Sequence, residues 1–355
     1  MKEVFMVKQG PFISDLSLAV IYPVYQQENA VVESLLLNSV KRFYALNIDI
    51  IIFDSSNSDK IRNIVYNYIY EGYDNVKYIK DEVLPNDVSV DYQVIAALKS
   101  CCALYDYIWI CQVGFIINIY GCYEYLLQCL KKKPEYIVID SKFRCETNED
   151  YTKKYHQPVI FCKEQFLRMT VMGTIIIRGD VIRILFDKFS DTDSKYSLWL
   201  CESIFHNIAK DNFVAEFICT DVFWYNYGTA VNEFWGENRE SIERWNYYYS
   251  VVNKLPRVYD SVKKDLYKVD THEFHLGRFL SLFKIRIDNG MNLKDIKKYK
   301  KCLQKICCGS FWKLYVVAIM PACVAKFLLR HEHNVFIGTL IEFYRLCVQD
   351  IDFED

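Results

Sequence analysis

Glycine and proline are scarce, 12 and 7 in a chain of 355 residues. A turn-dense all-β sandwich and low-complexity linkers call for more of both, so neither fits. No Cys-x-x-Cys pair occurs among the 14 cysteines, and the neighbours Cys101–Cys102 and Cys307–Cys308 lack zinc-ligand spacing. Cys111, Cys219 and Cys323 lie in apolar runs, where a thiol serves as a small hydrophobe rather than half of a disulfide framework. Neither sign of charge dominates: 43 Lys and Arg face 45 Asp and Glu, a net −2. That balance excludes a nucleic-acid binder that works through its whole surface. The opening MKEVFMVKQGPF has no secretory apolar region of the usual length, and with the cysteine usage this predicts a reducing, cytoplasmic setting. His272 and His275 stand in HEFH, which is not the HExxH zinc order, and with His331 and His333 they read as surface residues. No GxGxxG or GxxxxGK[ST] loop follows the first apolar run, so dinucleotide and P-loop folds are poor fits.

What the chain has is apolar and aromatic. Hydrophobic residues make up 52%, charged residues 25%, and there are 28 Tyr, 23 Phe and 6 Trp. A sizeable core follows, and the length suggests about two domains. Short apolar runs at 17–22 (SLAVIY, ending at Pro23), 48–53 (IDIIIF), 76–79, 106–111 (DYIWIC), 135–140 (EYIVID), 173–178 (GTIIIR) and 213–219 have the look of strands buried on both faces. Helical spacing falls between them, over 29–45 with Asn29 as N-cap, then 60–70, 90–104, 120–131, 180–186 and 196–210. Residues 141–170 are polar and read as an irregular loop, and 187–195 as a polar turn. Strand alternating with helix is the grammar of a mostly parallel sheet flanked by helices, whose ligands bind outside the carboxyl ends of the strands.

The character changes near 226. Residues 236–306 are polar and helical, with the Lys-rich stretch KDIKKYKKCLQK at 294–305. The apolar segment 311–329 approaches membrane-spanning length but holds Lys313, Lys326 and a mid-segment Pro321. It reads as a packed helical core first, and as an interfacial helix beside a basic patch second. Two regions follow, 1–225 and a mostly helical 226–355.

The polar residues at the strand ends carry the functional signal. The first strand ends in Tyr22-Pro23-Val24-Tyr25, and the second, about thirty residues on, in Phe53-Asp54-Ser55-Ser56-Asn57-Ser58-Asp59. A carboxylate at a strand end can accept from the N–H of a base or hold a ribose; otherwise it caps the next turn. This pair of segments resembles glycosyltransferase family 2, enzymes of GT-A fold that use nucleotide sugars. That family has a Pro-x-Tyr-Asn-like turn and then a Val-Asp-Asp-Gly-Ser-Thr-Asp-like segment. Asp54 and Asp59 match its first and last aspartates, while Ser55 and Ser56 replace the second aspartate and the glycine. The likeness covers some 200 residues, to about 220.

The resemblance implies an α/β GT-A-like domain and transfer of a hexosyl unit from a nucleotide diphosphate sugar, uridine diphosphate favoured, to a saccharide hydroxyl. It implies inversion at the anomeric carbon, and capsule, exopolysaccharide or glycan assembly as the setting. The acceptor would be a saccharide, free or lipid-linked, and the lipid would give 294–329 a reason for peripheral contact with the inner face of a membrane. Pro23, Tyr25, Asp54, Asp91 and Gln112 are the implied nucleotide-binding residues. The family's Asp-x-Asp, which holds a divalent metal on the diphosphate, falls at Gln112-Val113-Gly114. No cofactor is therefore assigned with certainty, and manganese or magnesium stays open. Basic side chains could neutralise the leaving diphosphate, with Lys99, Arg144 and Arg178 as candidates; metal ligands could lie elsewhere, at Asp91 or Asp140; or the chain could be a catalytically silent partner of another transferase. An inverting transferase needs a general base. The matching segment SDTDSKYSLWLCE offers Asp193 first, Asp191 second and Glu202 third. Trp199, Phe223, Trp224, Tyr225 and Tyr227 could wall an acceptor groove or belong to the core.

Overall fold

The computed structural model describes residues 16–25, 41–70, 72–81, 89–112, 115–189, 198–209, 212–225, 241–267, 279–306 and 312–331. The chain divides into two compact units, Met1–Asn226 and Tyr227–Asp355.

The first unit is built on an eight-stranded sheet. Its strands are β1 (Leu18–Val24), β2 (Asp49–Asp54), β3 (Val76–Lys80), β4 (Tyr107–Ile110), β6 (Tyr136–Asp140), β7 (Tyr151–Tyr155), β8 (Ile175–Arg178) and β9 (Ala215–Cys219), in the order β3-β2-β1-β4-β8-β6-β9-β7. A two-stranded ribbon pairs β5 (Phe115–Ile117) with β10 (Phe223–Tyr225). The central strands are nearly continuous apolar runs because helices cover both their faces. The strand β1 tolerates Pro23 for a local reason. Val24 carbonyl faces β2, where it accepts from Ser55 N–H, so the alternation of the strand turns Pro23 nitrogen toward β4. The β1–β4 pairing ends at Ile21↔Ile110, so the missing N–H costs no ladder bond.

The helices of this unit are α1 (Lys60–Tyr70), α2 (Val90–Cys101), α3 (Ile119–Lys131), α4 (Pro158–Met169), α5 (Gly179–Lys188) and α6 (Trp199–Ile208). Ser89 caps α2 by accepting from Tyr92 N–H at 3.1 Å. Trp109 anchors the sheet centre: it is fully buried, donates from Nε1 to Gly173 carbonyl at 2.6 Å and meets the Phe43 ring edge-on at 6.1 Å. Gly179 is required where α5 leaves β8, since a Cβ there would stand 2.3 Å from Tyr105 carbonyl oxygen.

One expectation is corrected. The segment 141–170 is not a loop; it contains β7 and α4. The edge strand β7 has the sequence YTKKY with four exposed residues and one buried, so it lacks the apolar run that marks an inner strand. The sheet is mostly parallel, as expected; within it β8 runs antiparallel to both of its neighbours, β4 and β6, and β7 antiparallel to β9. The expected helix over 29–45 lies mostly outside the described residues; its end, 41–45, is helical, with Phe43 buried.

The second unit is helical: α7 (Ser241–Lys254), α8 (Asp260–Tyr267), α9 (Phe279–Ile287), α10 (Leu293–Lys298), α11 (Lys300–Ile306), α12 (Trp312–Ile319) and α13 (Ala322–Arg330). The apolar segment 311–329 is broken at Pro321 into α12 and α13, both packed against α9. Among the described residues no helix is long and apolar enough to cross a membrane.

Candidate functional site

Strand direction fixes the site. The strands β1, β2, β3, β4, β6 and β9 all point the same way, so their carboxyl ends form one rim. Pro23 and Tyr25 lie at the end of β1, Asp54 at the end of β2 and Gln112 two residues past β4. Ser55 N–H donates to Val24 carbonyl and Cys111 N–H to Ile21 carbonyl, each at 2.9 Å, so the chain leaves these three strands tied together.

Asp54 is the hub of that rim and has no exposed surface. Its Oδ1 accepts from Ser56 N–H at 2.8 Å. Its Oδ2 accepts from Tyr78 Oη at 2.7 Å and from Lys80 Nζ at 3.0 Å. Burial, helped by the Asp54 carboxylate, pushes the Tyr78 phenol up, so it remains a donor. Lys80 also donates to the carbonyls of Ser56 and Ser58, the latter at 3.3 Å, which staples the turn after β2 to the end of β3. Ser55 Oγ donates to Asp81 at 3.2 Å. The carboxylate thus sits on the rim a base would approach, but beneath a lid of its own neighbours. Tyr78 and Lys80 were not singled out from the sequence. The parallel register Asp54↔Lys80 is the signal that could have found them.

Asp91 has other work. It is buried at the start of α2, and its Oδ1 accepts from Trp199 N–H at 3.1 Å, holding the first turn of α6 against α2. Burial raises its carboxyl well above the usual range, and the Glu202 charge adds to that, against the backbone N–H groups of Trp199 and Leu198. Glu202, half-buried in that first turn of α6, is therefore brought beside Asp91. Asp193 and Asp191 lie outside the described residues, as does Tyr227.

Asp140 ends β6 on the same rim, also without exposed surface. Arg144 Nη1 lies 3.4 Å and Arg168 Nε 3.1 Å from its two oxygens, and Ser141 N–H donates at 2.8 Å. Burial raises the Asp140 carboxyl and the two guanidinium groups oppose the rise. With those partners Asp140 does not offer itself to a metal, and Asp91 is committed to α6. Among the described residues no three His, Cys, Asp or Glu side chains converge as ligands. Gln112 offers one amide oxygen where a hard cation asks for carboxylates, so the described residues do not fit a metal.

Two of the basic candidates are corrected. Because β8 is antiparallel, Arg178 opens onto the opposite rim, where it pairs with Asp180 at 2.6 Å. Lys99 is near the far end of α2, its Nζ 5.3 Å from the Phe186 ring centroid. Trp199 is core rather than a groove wall: it is buried, stacked on Phe186 at 5.4 Å, and donates to Phe189 carbonyl at 3.0 Å. Phe223, Trp224 and Tyr225 form β10. A cavity of about 400 Å³ opens on the opposite rim, among Leu18, Ile48, Asp49, Tyr105, Leu126 and Leu130. It is at the amino ends of the strands, away from Asp54, and has no part in the rim described above.

A search of solved structures places this architecture. The structure of S. aureus TarS 1-349 in complex with UDP-GlcNAc superposes with a TM-score of 0.52 at 12% identity, covering 94% of this chain and 93% of that one. The fold is GT-A-like. A mannosyltransferase from Pyrobaculum calidifontis, in complex with GDP-Man and Mn2+, gives a TM-score of 0.43 at 10% identity over 95% and 91% of the two chains. No family model matches this GT-A-like chain, and no curated protein sequence does either.

Proposed function

We propose that the first unit binds a nucleotide diphosphate sugar at the carboxyl rim of β1, β2 and β4 and transfers the sugar to a saccharide hydroxyl. One observation carries this: Asp54 terminates β2 on the ligand-binding rim of a GT-A-like sheet, between the ends of β1 and β3. The UDP-GlcNAc held by TarS 1-349 makes uridine diphosphate the first ligand to test. Uracil presents one imide N–H between two carbonyls. Asp54 already receives three donors and has one acceptor position left for such a group. Reaching it requires the Lys80 side chain, about a third exposed, to swing aside.

Pro23, Tyr25 and Gln112 line this rim as nucleotide contacts, and Asp91 acts through the placement of α6. Asp193, then Asp191, then Glu202 is the order in which we assign the general base. Inversion, a capsule or exopolysaccharide acceptor and a cytoplasmic site at the inner face of a membrane complete the proposal. A second reading rests on Gln112 in place of the family's metal carboxylates: a catalytically silent partner of another transferase.

Isothermal titration with uridine diphosphate, with and without manganese, separates them. Metal-free binding that Asp54→Asn weakens by about tenfold, the loss of one charge-assisted hydrogen bond, supports the enzyme. Binding that needs manganese points to ligands outside the described residues. No binding of any nucleotide diphosphate favours the silent partner.

A further inference from the structure

The Lys-rich stretch takes no part in the rim, and the second unit displays it in full. Lys294, Lys297, Lys298, Lys300, Lys301 and Lys305, on α10 and α11, are all exposed. The acidic residue among them, Asp295, is occupied by the α10 capping box, accepting from Asn292 N–H at 3.1 Å. Lys298 stands 3.7 Å from Glu243 and is still 65% exposed. The unit also turns apolar residues outward. Ile319 at the end of α12 is 67% exposed, and Val324 and Phe327 on α13 are 41% and 55% exposed. Val324 and Phe327 are three apart and share a helix face. Lys326 and Arg330 on the same helix are exposed as well, whereas Ala325 is its fully buried residue. The turn at Pro321 is fixed, since Arg286 Nε donates to Met320 carbonyl at 3.0 Å. The helix α12 packs on α10, so the apolar turn and the basic helices belong to one continuous packed set.

Exposed apolar side chains beside clustered cations suit one kind of partner, an interface with an anionic head-group layer above acyl chains. We propose that the second unit docks on an anionic phospholipid surface, with the lysines of α10–α11 against the head groups and Ile319, Val324 and Phe327 entering the acyl boundary. Charge complementarity selects this occupant: a second copy meeting this face through the same patch would bring lysines against lysines. The proposal deepens the membrane-face setting proposed above, and its failure is distinguishable from failure of the nucleotide site, because vesicle binding is read without any donor sugar.

The test is sedimentation of the full chain with vesicles of phosphatidylcholine, with or without phosphatidylglycerol. Binding is expected only with phosphatidylglycerol, and added salt releases it. The triple change Lys297→Glu, Lys301→Glu, Lys305→Glu, at exposed positions, weakens binding by roughly a hundredfold or more. The pair Ile319→Ser and Phe327→Ser weakens it by about tenfold or more while the remaining binding stays salt-sensitive. Circular dichroism confirms that both variants keep their helices. Failure to bind phosphatidylglycerol vesicles overturns the proposal, as does equal binding to phosphatidylcholine alone or indifference to the lysine changes. A concentration-dependent dimer that Phe327→Ser abolishes, seen by light scattering, also overturns it by making a second copy the occupant.

Discussion

Two carboxylates without exposed surface close the same rim of the sheet, Asp54 on β2 and Asp140 on β6, and they are balanced differently. Asp54 has one cation, Lys80, a neutral phenol from Tyr78 and a backbone N–H. Asp140 has two guanidinium groups and a backbone N–H. Lys80 is about a third exposed, Arg168 a quarter exposed and Arg144 9% exposed. The first arrangement can open, because its single cation already reaches water and a compact ammonium gives up its partners one at a time. The second is tighter, because two planar guanidinium groups hold the carboxylate and Arg144 has little water to move into. The half of the rim proposed for the nucleotide is thus the one whose buried carboxylate rests on one cation with an exit.

Removing each carboxylate measures that contrast. Asp140→Ala removes the carboxylate that the guanidinium groups of Arg144, largely buried, and Arg168, a quarter exposed, both approach, and should cost about 3–5 kcal/mol, read by urea unfolding. Asp54→Ala should cost less, about 2–3 kcal/mol, since Lys80 can relax into solvent. Equal losses would erase the distinction between an opening and a closed site.

Asp91 sharpens the comparison as a buried carboxyl held by backbone N–H groups at the start of α6, with the Glu202 charge nearby. Its folded value is raised, so the native state keeps its proton where the unfolded chain has lost it. The stability this adds is complete below the unfolded carboxylate range and declines as pH rises through the raised folded value. Asp91→Asn, which keeps an acceptor and carries no charge, should flatten that decline and gain on wild type toward neutral pH. Asp91→Ala should lose about 1 kcal/mol by leaving the α6 amides unpaired. Unfolding followed across a pH series distinguishes the two.

The smallest effect is expected on the opposite rim. There Lys77 joins Asp49 at 2.8 Å and Tyr105 at 2.5 Å, but half of the lysine side chain is exposed. Lys77→Met should shift stability by no more than about 1 kcal/mol in thermal unfolding. A larger loss would show that the polar network at the amino ends is as rigid as the one at the carboxyl ends.

Much of this architecture is legible in the residues. The runs IDIIIF, DYIWIC and EYIVID read as inner strands because they are short, almost wholly apolar and rich in Ile, Val and aromatic residues, and all three are buried strands of the sheet. Pro321 breaks the apolar segment of the second unit where a proline must. The strand β7 was illegible because an exposed edge strand needs no apolar signature, whereas α4, with Pro158 at its start and Phe161, Cys162, Phe166 and Met169 buried at helical spacing, carried a signal that the polar residues around it masked. The direction of β8 was illegible for another reason: GTIIIR is buried alike whichever way it runs. That single reversal moved Arg178 from the carboxyl rim to the far side. Trp199 was ambiguous because an aromatic ring suits a core and a groove equally, and its stacking on Phe186 decided for the core.

The sequence by itself determined the inner strands and most of the helices, where the second unit begins in character, and that Asp54 ends an inner strand. These are local matters, settled by the period of burial along a short stretch of chain. Only the tertiary structure decided what Asp54 touches, that Asp91 serves α6, and that Asp140 is gripped by Arg144 and Arg168. Ser56 and Arg144 are near neighbours in the chain, but Tyr78, Lys80, Arg168 and Trp199 lie 24 to 108 residues from their carboxylates, and what joins them is strand order and helix packing, which no local pattern encodes.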